Sequence, residues 1–173
     1  MALTAGTWRI TDPHHIGAQP IADISTTQNH QLGLIVQAKD VGTTAYGYGE
    51  FQYCKGVASC AAKNWVGIPS DNYTIVRAVA NGNYPLGVAM GALTASYYGW
   101  VQISGKALGS CLTQFADNGA VFLTATAGSV DDASVAGDFI FNAVGASGAV
   151  VGDLHAEFEL NRPFAPQRVS IAG

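Results

Sequence analysis

The chain has 173 residues, a net charge of −4 and only 12% charged residues, against about 25% in ordinary soluble domains. Lys and Arg are scattered singly, which removes the basic patch that phosphate-backbone recognition needs. No stretch approaches the ~18 apolar residues of a spanning helix, so neither nucleic acid nor membrane is expected as a partner.

The length suits one domain with an appended arm. So few charges would solvate a free monomer poorly. Either much of the surface is buried in an assembly, or a compact β protein carries Ser, Thr, Asn and Gln outside. MALTAGTWRITDP lacks the basic start and apolar core of a leader, so folding in a cytoplasm is expected. Cys54, Cys60 and Cys111 are an odd number, which fits reduced buried thiols better than a disulfide framework.

Met1–Asn29 has prolines, a polar STTQNH run and isolated apolar residues without a period. It reads as an extended arm lying on the body or on a neighbour, because a disordered tail carries fewer large apolar residues. Its anchors are Trp8, Ile10, Ile16, Ile21 and Ile24. The body, residues 30–161, opens with a strand at Gln31–Lys39. A second alternating strand follows at Glu50–Lys55, and a short one at Trp65–Ile68 is stopped by Pro69. Ser70-Asp71-Asn72 is a turn, Tyr73–Ala80 a β-branched strand, and Asn81-Gly82-Asn83 a second turn.

Pro85–Gly105 carries no charge and reads as two strands joined near Thr94–Ser96. A helix through Val88–Ala95 is the rival, and Gly82, Gly87 and Gly91 oppose it. Val101 and Ile103 share one strand face, with Trp100, Gln102 and Ser104 on the other; Gly99 and Gly105 bracket the strand. Further strands are expected at Leu108–Phe115, Ala120–Thr126, Asp138–Val144 and Asp153–Asn161. A turn is expected at Asp117–Gly119, a polar loop at Gly128–Ala133, and a surface tail over Arg162–Gly173. Short strands between Gly/Asn/Asp turns predict an all-β fold: a small antiparallel sandwich or barrel with an extended N-terminal arm.

Candidate chemistry is thin. Cys54 and Cys60 are spaced wrongly for a zinc knuckle, and His14-His15 on an extended chain point opposite ways. His155 lies on a face shared with Glu157 and Glu159, and no G-x-S-x-G elbow is present. Asp131, Asp132 and Asp138 lack calcium-loop spacing, and Gly145–Gly152 lacks the Lys-Ser/Thr of a phosphate loop. No catalytic, cofactor-binding or metal-ligating residue is assigned.

The segments FQYCKGVAS, NWVGIPSDNYTIVRAVAN, PLGVAMGALTASYYGWVQISGKA, ADNGAVFLTATAGSVDDA and AGDFIFNAV span roughly Leu32 to Val144. Together they resemble the capsid decoration (cement) proteins of tailed bacteriophages. The resemblance implies a small all-β domain on the outer surface of a virion, made in the host cytoplasm. It would clamp neighbouring major capsid protein subunits as a dimer or trimer, without a catalytic residue or cofactor. A homotrimer is expected before a dimer, with Tyr97, Tyr98 and Trp100 as oligomer or loop contacts and the arm anchors as contacts to coat or neighbour. Two other classes stay open. A receptor-binding fibre or adhesin domain would use exposed aromatics among Tyr46, Tyr48, Tyr97 and Tyr98. A ligand-binding barrel enzyme would need a clustered ionisable site.

Overall fold

The computed structural model describes residues 3–15, 17–135, 138–150 and 152–166. Strands are β1 (Trp8–Ile10), β2 (Ile35–Asp40), β3 (Tyr48–Lys55), β4 (Trp65–Gly67), β5 (Val76–Arg77) and β6 (Tyr84–Ala89). Then come β7 (Tyr98–Ser110), β8 (Ala120–Leu123), β9 (Val130–Asp131), β10 (Phe139–Gly145) and β11 (His155–Ala165). One short 3-10 turn, Pro13–His15, is the helical element among the described residues. The fold is all-β and antiparallel, as the turn spacing implies. All eleven strands join one sheet, in the order β1-β2-β3-β7-β6-β11-β10-β8-β9, with β4 attached to β5 and β6. The sheet does not close into a barrel.

β7 organises the molecule. It pairs with β3 along Tyr98–Ser104, with β6 at Val101 and Gln102, and with β11 along Ser104–Ser110. The expected break at Gly105 is a bend inside a longer strand, so Leu108–Ser110 continue β7 rather than start a new one. Gly105 sits at φ +88, and a side chain there would collide with the Tyr48 carbonyl oxygen; only glycine combines that torsion with such close backbone approach. Alternation along β7 buries both faces. Val101 and Ile103 enter one apolar cluster with Ile68, Ile75 and Leu93. Trp100 enters a second with Ile21, Val36, Phe51 and Tyr53. A third cluster, around Trp65, Phe115, Ile140 and Phe158, lies between β11, β10, β8 and β6.

Local signals give most turns. Gly82 N–H donates to the Val79 carbonyl (3.1 Å) and Gly119 N–H to the Ala116 carbonyl (3.2 Å), with Asn81 and Asn118 at positive φ. The Tyr73–Ala80 stretch pairs as a strand only at Val76–Arg77, because its remaining backbone finds scattered partners such as the Lys55 and Trp65 carbonyls. The loop expected at Gly128–Ala133 contains β9. The tail expected from Arg162 is instead the end of β11 as far as Ala165, where Phe164 pairs with Phe141 and Pro85. Arg162, at φ 50, lets β11 bend there. Residues 167–173 lie outside the described residues.

Candidate interaction surfaces

Residues 3–15 and 17–29, read from the sequence as an extended arm lying on the body or on a neighbour, pack against the chain's own body. β1 pairs with β2 through Trp8 with Asp40 and Ile10 with Ala38. The Trp8 ring meets Phe51 edge-on at 4.9 Å. Ile21 is fully buried beside Trp100 and Tyr53. Ile24 stays partly exposed, seated over Gly91, where a side chain would come within 2.7 Å of it. Ile16 lies outside the described residues.

Polar bonds fix the same segment. The Gln19 amide accepts from the Tyr53 hydroxyl (3.1 Å) and from Asn29 (2.9 Å), and donates to the carbonyls of Asp23 (2.8 Å) and Tyr98 (3.2 Å). Its carbonyl accepts from the Trp100 indole at 2.9 Å. Its N–H donates to Nε2 of His30 at 3.1 Å, which requires that nitrogen to be unprotonated. Burial, with His15 adding a like charge, pushes the His30 imidazole below its usual range. The ring packs edge-on to Tyr53 at 4.9 Å and tilted to Trp100 at 5.6 Å.

Asp40 closes the other end of the segment. Its carboxylate accepts from the N–H of Thr7 (2.8 Å), Gly42 (3.0 Å) and Tyr46 (3.0 Å), and from the Thr44 hydroxyl (2.5 Å). Burial alone would raise this carboxyl, but those four bonds outweigh it and hold it down at about 2. Beyond it, the Tyr46 hydroxyl reaches Glu157 at 2.8 Å, and Lys106 pairs with Glu157 at 2.6 Å. Burial, helped by Glu157, raises the Tyr46 phenol well above its usual range.

Of the aromatic positions expected at an oligomer contact, Trp100 is fully buried within its own chain. An indole locked by Gln19 and covered by Ile21 has no face for a neighbour. Tyr98 is half-buried and exchanges backbone bonds with Ser25; Tyr97 is half-buried in the loop before β7. Tyr46 is inside, whereas Tyr48 is 63% exposed. Cys54, Cys60 and Cys111 are free, buried thiols; burial raises them to about 12, 11 and 12, so they stay protonated. Among the described residues no group of three or more His, Cys, Asp or Glu side chains could hold a metal ion. His15 bonds Asp12 (2.9 Å) and His155 bonds Asp153 (3.0 Å), each a local pair.

Among the described residues two outward surfaces are rich in apolar side chains. An open groove of about 510 Å³ runs beside the edge strand β1, lined by Trp8, Arg9, Ile10, Ile21 and Val41. Across β8, β10 and β11 four phenylalanines form a continuous ladder. Phe122 meets Phe139 at 5.4 Å, Phe139 meets Phe141 at 4.9 Å, and Phe141 stacks on Phe164 at 5.2 Å. Sequence alternation puts Phe139 and Phe141 on one face. Phe122 and Phe164 join them only through strand pairing. No known protein-family model matches the chain, and no curated protein does.

Proposed function

We propose that this chain is a structural capsid decoration protein, seated on the outer surface of a tailed-phage head, where it holds neighbouring major capsid protein subunits together as a symmetric oligomer. The reading comes from the motif resemblance over Leu32–Val144. The observation that carries it structurally is how the side chains are used. The charged and ionisable groups described above close loops and pin strands, and three apolar clusters make the sheet a stiff body. A cement needs such stiffness and interfaces made by shape, repeated by symmetry. The groove beside β1 is the surface we assign to the coat. A three-residue edge strand offers unpaired backbone groups, and Ile10 and Val41 supply apolar contact.

Heads stripped of the protein, incubated with it and pelleted, test this. Wild type should co-sediment and raise the temperature at which the heads open, while Val41→Asp should bind at least about tenfold more weakly. Failure of the wild type to bind removes the decoration reading. Equal binding by Val41→Asp keeps it and moves the contact off the groove. Tyr48, exposed as an adhesin contact would be, favours receptor binding as the second reading. Attachment of the isolated protein to host cells, lost in Tyr48→Ala, would select it.

A further inference from the structure

Residues 17–30 are held over the aromatic core partly by a group that changes character in mild acid. Gln19 is the hub. Its side chain binds Tyr53, Asn29 and the carbonyls of Asp23 and Tyr98, and its carbonyl binds the Trp100 indole. None of those bonding groups changes charge between about pH 5 and 8. The Gln19 N–H differs, because it donates to Nε2 of His30 at 3.1 Å. A neutral imidazole accepts at that nitrogen. An imidazolium carries N–H on both nitrogens and accepts at neither. Protonation therefore sets one donor against another at a residue that is buried.

The surroundings of the ring offer no relief. Tyr53 on β3 and Trp100 on β7, both fully buried, flank it at 4.9 and 5.6 Å and limit its rotation. His15, from the 3-10 turn, adds a like charge. Asp23 lines the same open cavity as His30. Among the described residues no carboxylate pairs with the imidazole, so its protonation gains no ion pair. The segment that His30 holds is also a wall between two open cavities. Ala18 and Pro20 line both the groove of about 510 Å³ beside β1 and a second hollow of about 520 Å³, where His30 lies. Ile21, next in the chain, lines the groove as well. A displacement of Gln19 is thus transmitted to the groove through its immediate neighbours.

From this geometry we infer that His30 is an acid-sensitive latch on the groove beside β1. Neutral, it holds Gln19 and with it the Ala18–Ile21 wall. Protonated, it repels the Gln19 N–H, and the wall leaves the shape that a partner in the groove meets. The consequence for binding rests on the assignment of that groove to the coat, whereas the latch itself belongs to the isolated protein. Burial and His15 keep the imidazole below its ordinary 6.5. The closed form is therefore the one present at neutral pH, and the latch opens as pH falls through the lowered midpoint. Apparent affinity follows the fraction of molecules in the competent form, so a single proton weakens binding by up to about tenfold per pH unit below that midpoint.

An NMR titration of the full chain from about pH 8 to 5 reads the latch directly. His30→Gln assigns the ring signals by their loss, and its side-chain oxygen accepts from Gln19 at every pH in that range. In wild type the His30 ring should titrate below 6.5, and the amide signals of Ala18, Gln19 and Ile21 should move with the same midpoint. In His30→Gln those amides should stay in place. A His30 midpoint at or above 6.5, or amides at 18–21 that do not follow it, overturns the latch. Should His30→Gln misfold, His15→Asn replaces it: loss of the like charge should raise the His30 midpoint, and amides that fail to shift with it overturn the latch equally. Binding to stripped heads reads the consequence. Wild type should bind about tenfold more weakly one pH unit below the His30 midpoint than at neutral pH, and His30→Gln should bind equally at both. Equal binding by wild type, or an equal loss in His30→Gln, overturns the coupling to the groove. Wild type that binds no heads even at neutral pH removes the decoration reading and the coat consequence with it, and the NMR titration then decides the latch by itself.

Discussion

Two aromatic groups on the same sheet are treated in opposite ways. Trp8, Phe51, Tyr53 and Trp100 pack edge-on under residues 17–30, which are bonded down by Gln19, His30 and Asn29. Phe122, Phe139, Phe141 and Phe164 pack just as closely with one another, but no described segment of the chain lies over Phe141 and Phe164. Ring-to-ring contact is therefore common to both groups, and burial is what separates them. In the first group Phe51, Tyr53 and Trp100 are fully buried core with Trp8 half-buried against them, and losing them costs fold stability. The second contributes little within one chain and gains its value when something covers it.

Changes at the buried group should separate the two most widely. Trp100→Ala removes a fully buried indole and its bond to Gln19. It should cost about 3–5 kcal/mol, measured by urea unfolding, with resistance to proteolysis lost across residues 17–30. An effect under 1 kcal/mol would mean that the N-terminal segment is not held as described.

Asp40→Ala leaves three backbone N–H groups and the Thr44 hydroxyl without their acceptor and should cost about 2 kcal/mol. The pH course follows from linkage. The folded carboxyl sits at about 2 against 3.8 for the ordinary group, so the unfolded chain binds more protons between those values. The stabilisation is complete above about pH 4 and is lost as pH falls toward 2. Melting temperature should drop over that range in the wild type and drop less in Asp40→Ala.

His30 gives a smaller effect at milder pH. Its imidazole is held below the ordinary 6.5, so the unfolded state takes up the proton first. Stability is full above about pH 6.5 and declines below it until the folded group itself titrates. The groups facing it are His15, the rings of Tyr53 and Trp100, and the Gln19 N–H; Asp23 lines the same open cavity. Backbone amide exchange in residues 17–30 should accelerate as pH falls from 7 to 5.5, after correction for intrinsic rates. His30→Gln should flatten that dependence.

The exposed group should give the least in a monomer. Phe141→Ser should shift monomer stability by under about 1 kcal/mol, measured in dilute protein. A loss as large as that of Trp100→Ala would show that the strip is core after all and would erase the contrast.

Periodicity and turn chemistry were enough for the β6–β7 pair and the Asn81-Gly82 and Asn118-Gly119 turns, because each depends on neighbours within a few residues. Alternation over Asp153–Asn161 also puts Leu154, Ala156, Phe158 and Leu160 inward; the last three are buried, but Leu154 precedes the strand at φ 49 and is exposed. The small strands escaped detection. β1 and β9 span three and two residues, too short for a period, and exist because β2 and β8 offer them backbone partners. Tyr73–Ala80 is the converse, high in β-branched residues but mostly without a ladder to join.

The candidate surfaces divide in the same way. The apolar character of Trp8, Ile10, Ile21 and Ile24 is written in the sequence, but its destination is not. Isolated anchors on a stretch without a period suit a neighbour's surface as well as the chain's own. Tertiary pairing laid β1 on β2 and brought Gln19 to Trp100, across 81 positions of sequence. It also set Phe122 and Phe164 beside Phe139 and Phe141 on the outer face of three adjacent strands, β8, β10 and β11. Alternation fixes which side of its own strand a residue takes. Which strands become neighbours, and which sheet face the rest of the chain then covers, depends on contacts between residues far apart in sequence, and local pattern carries no record of those.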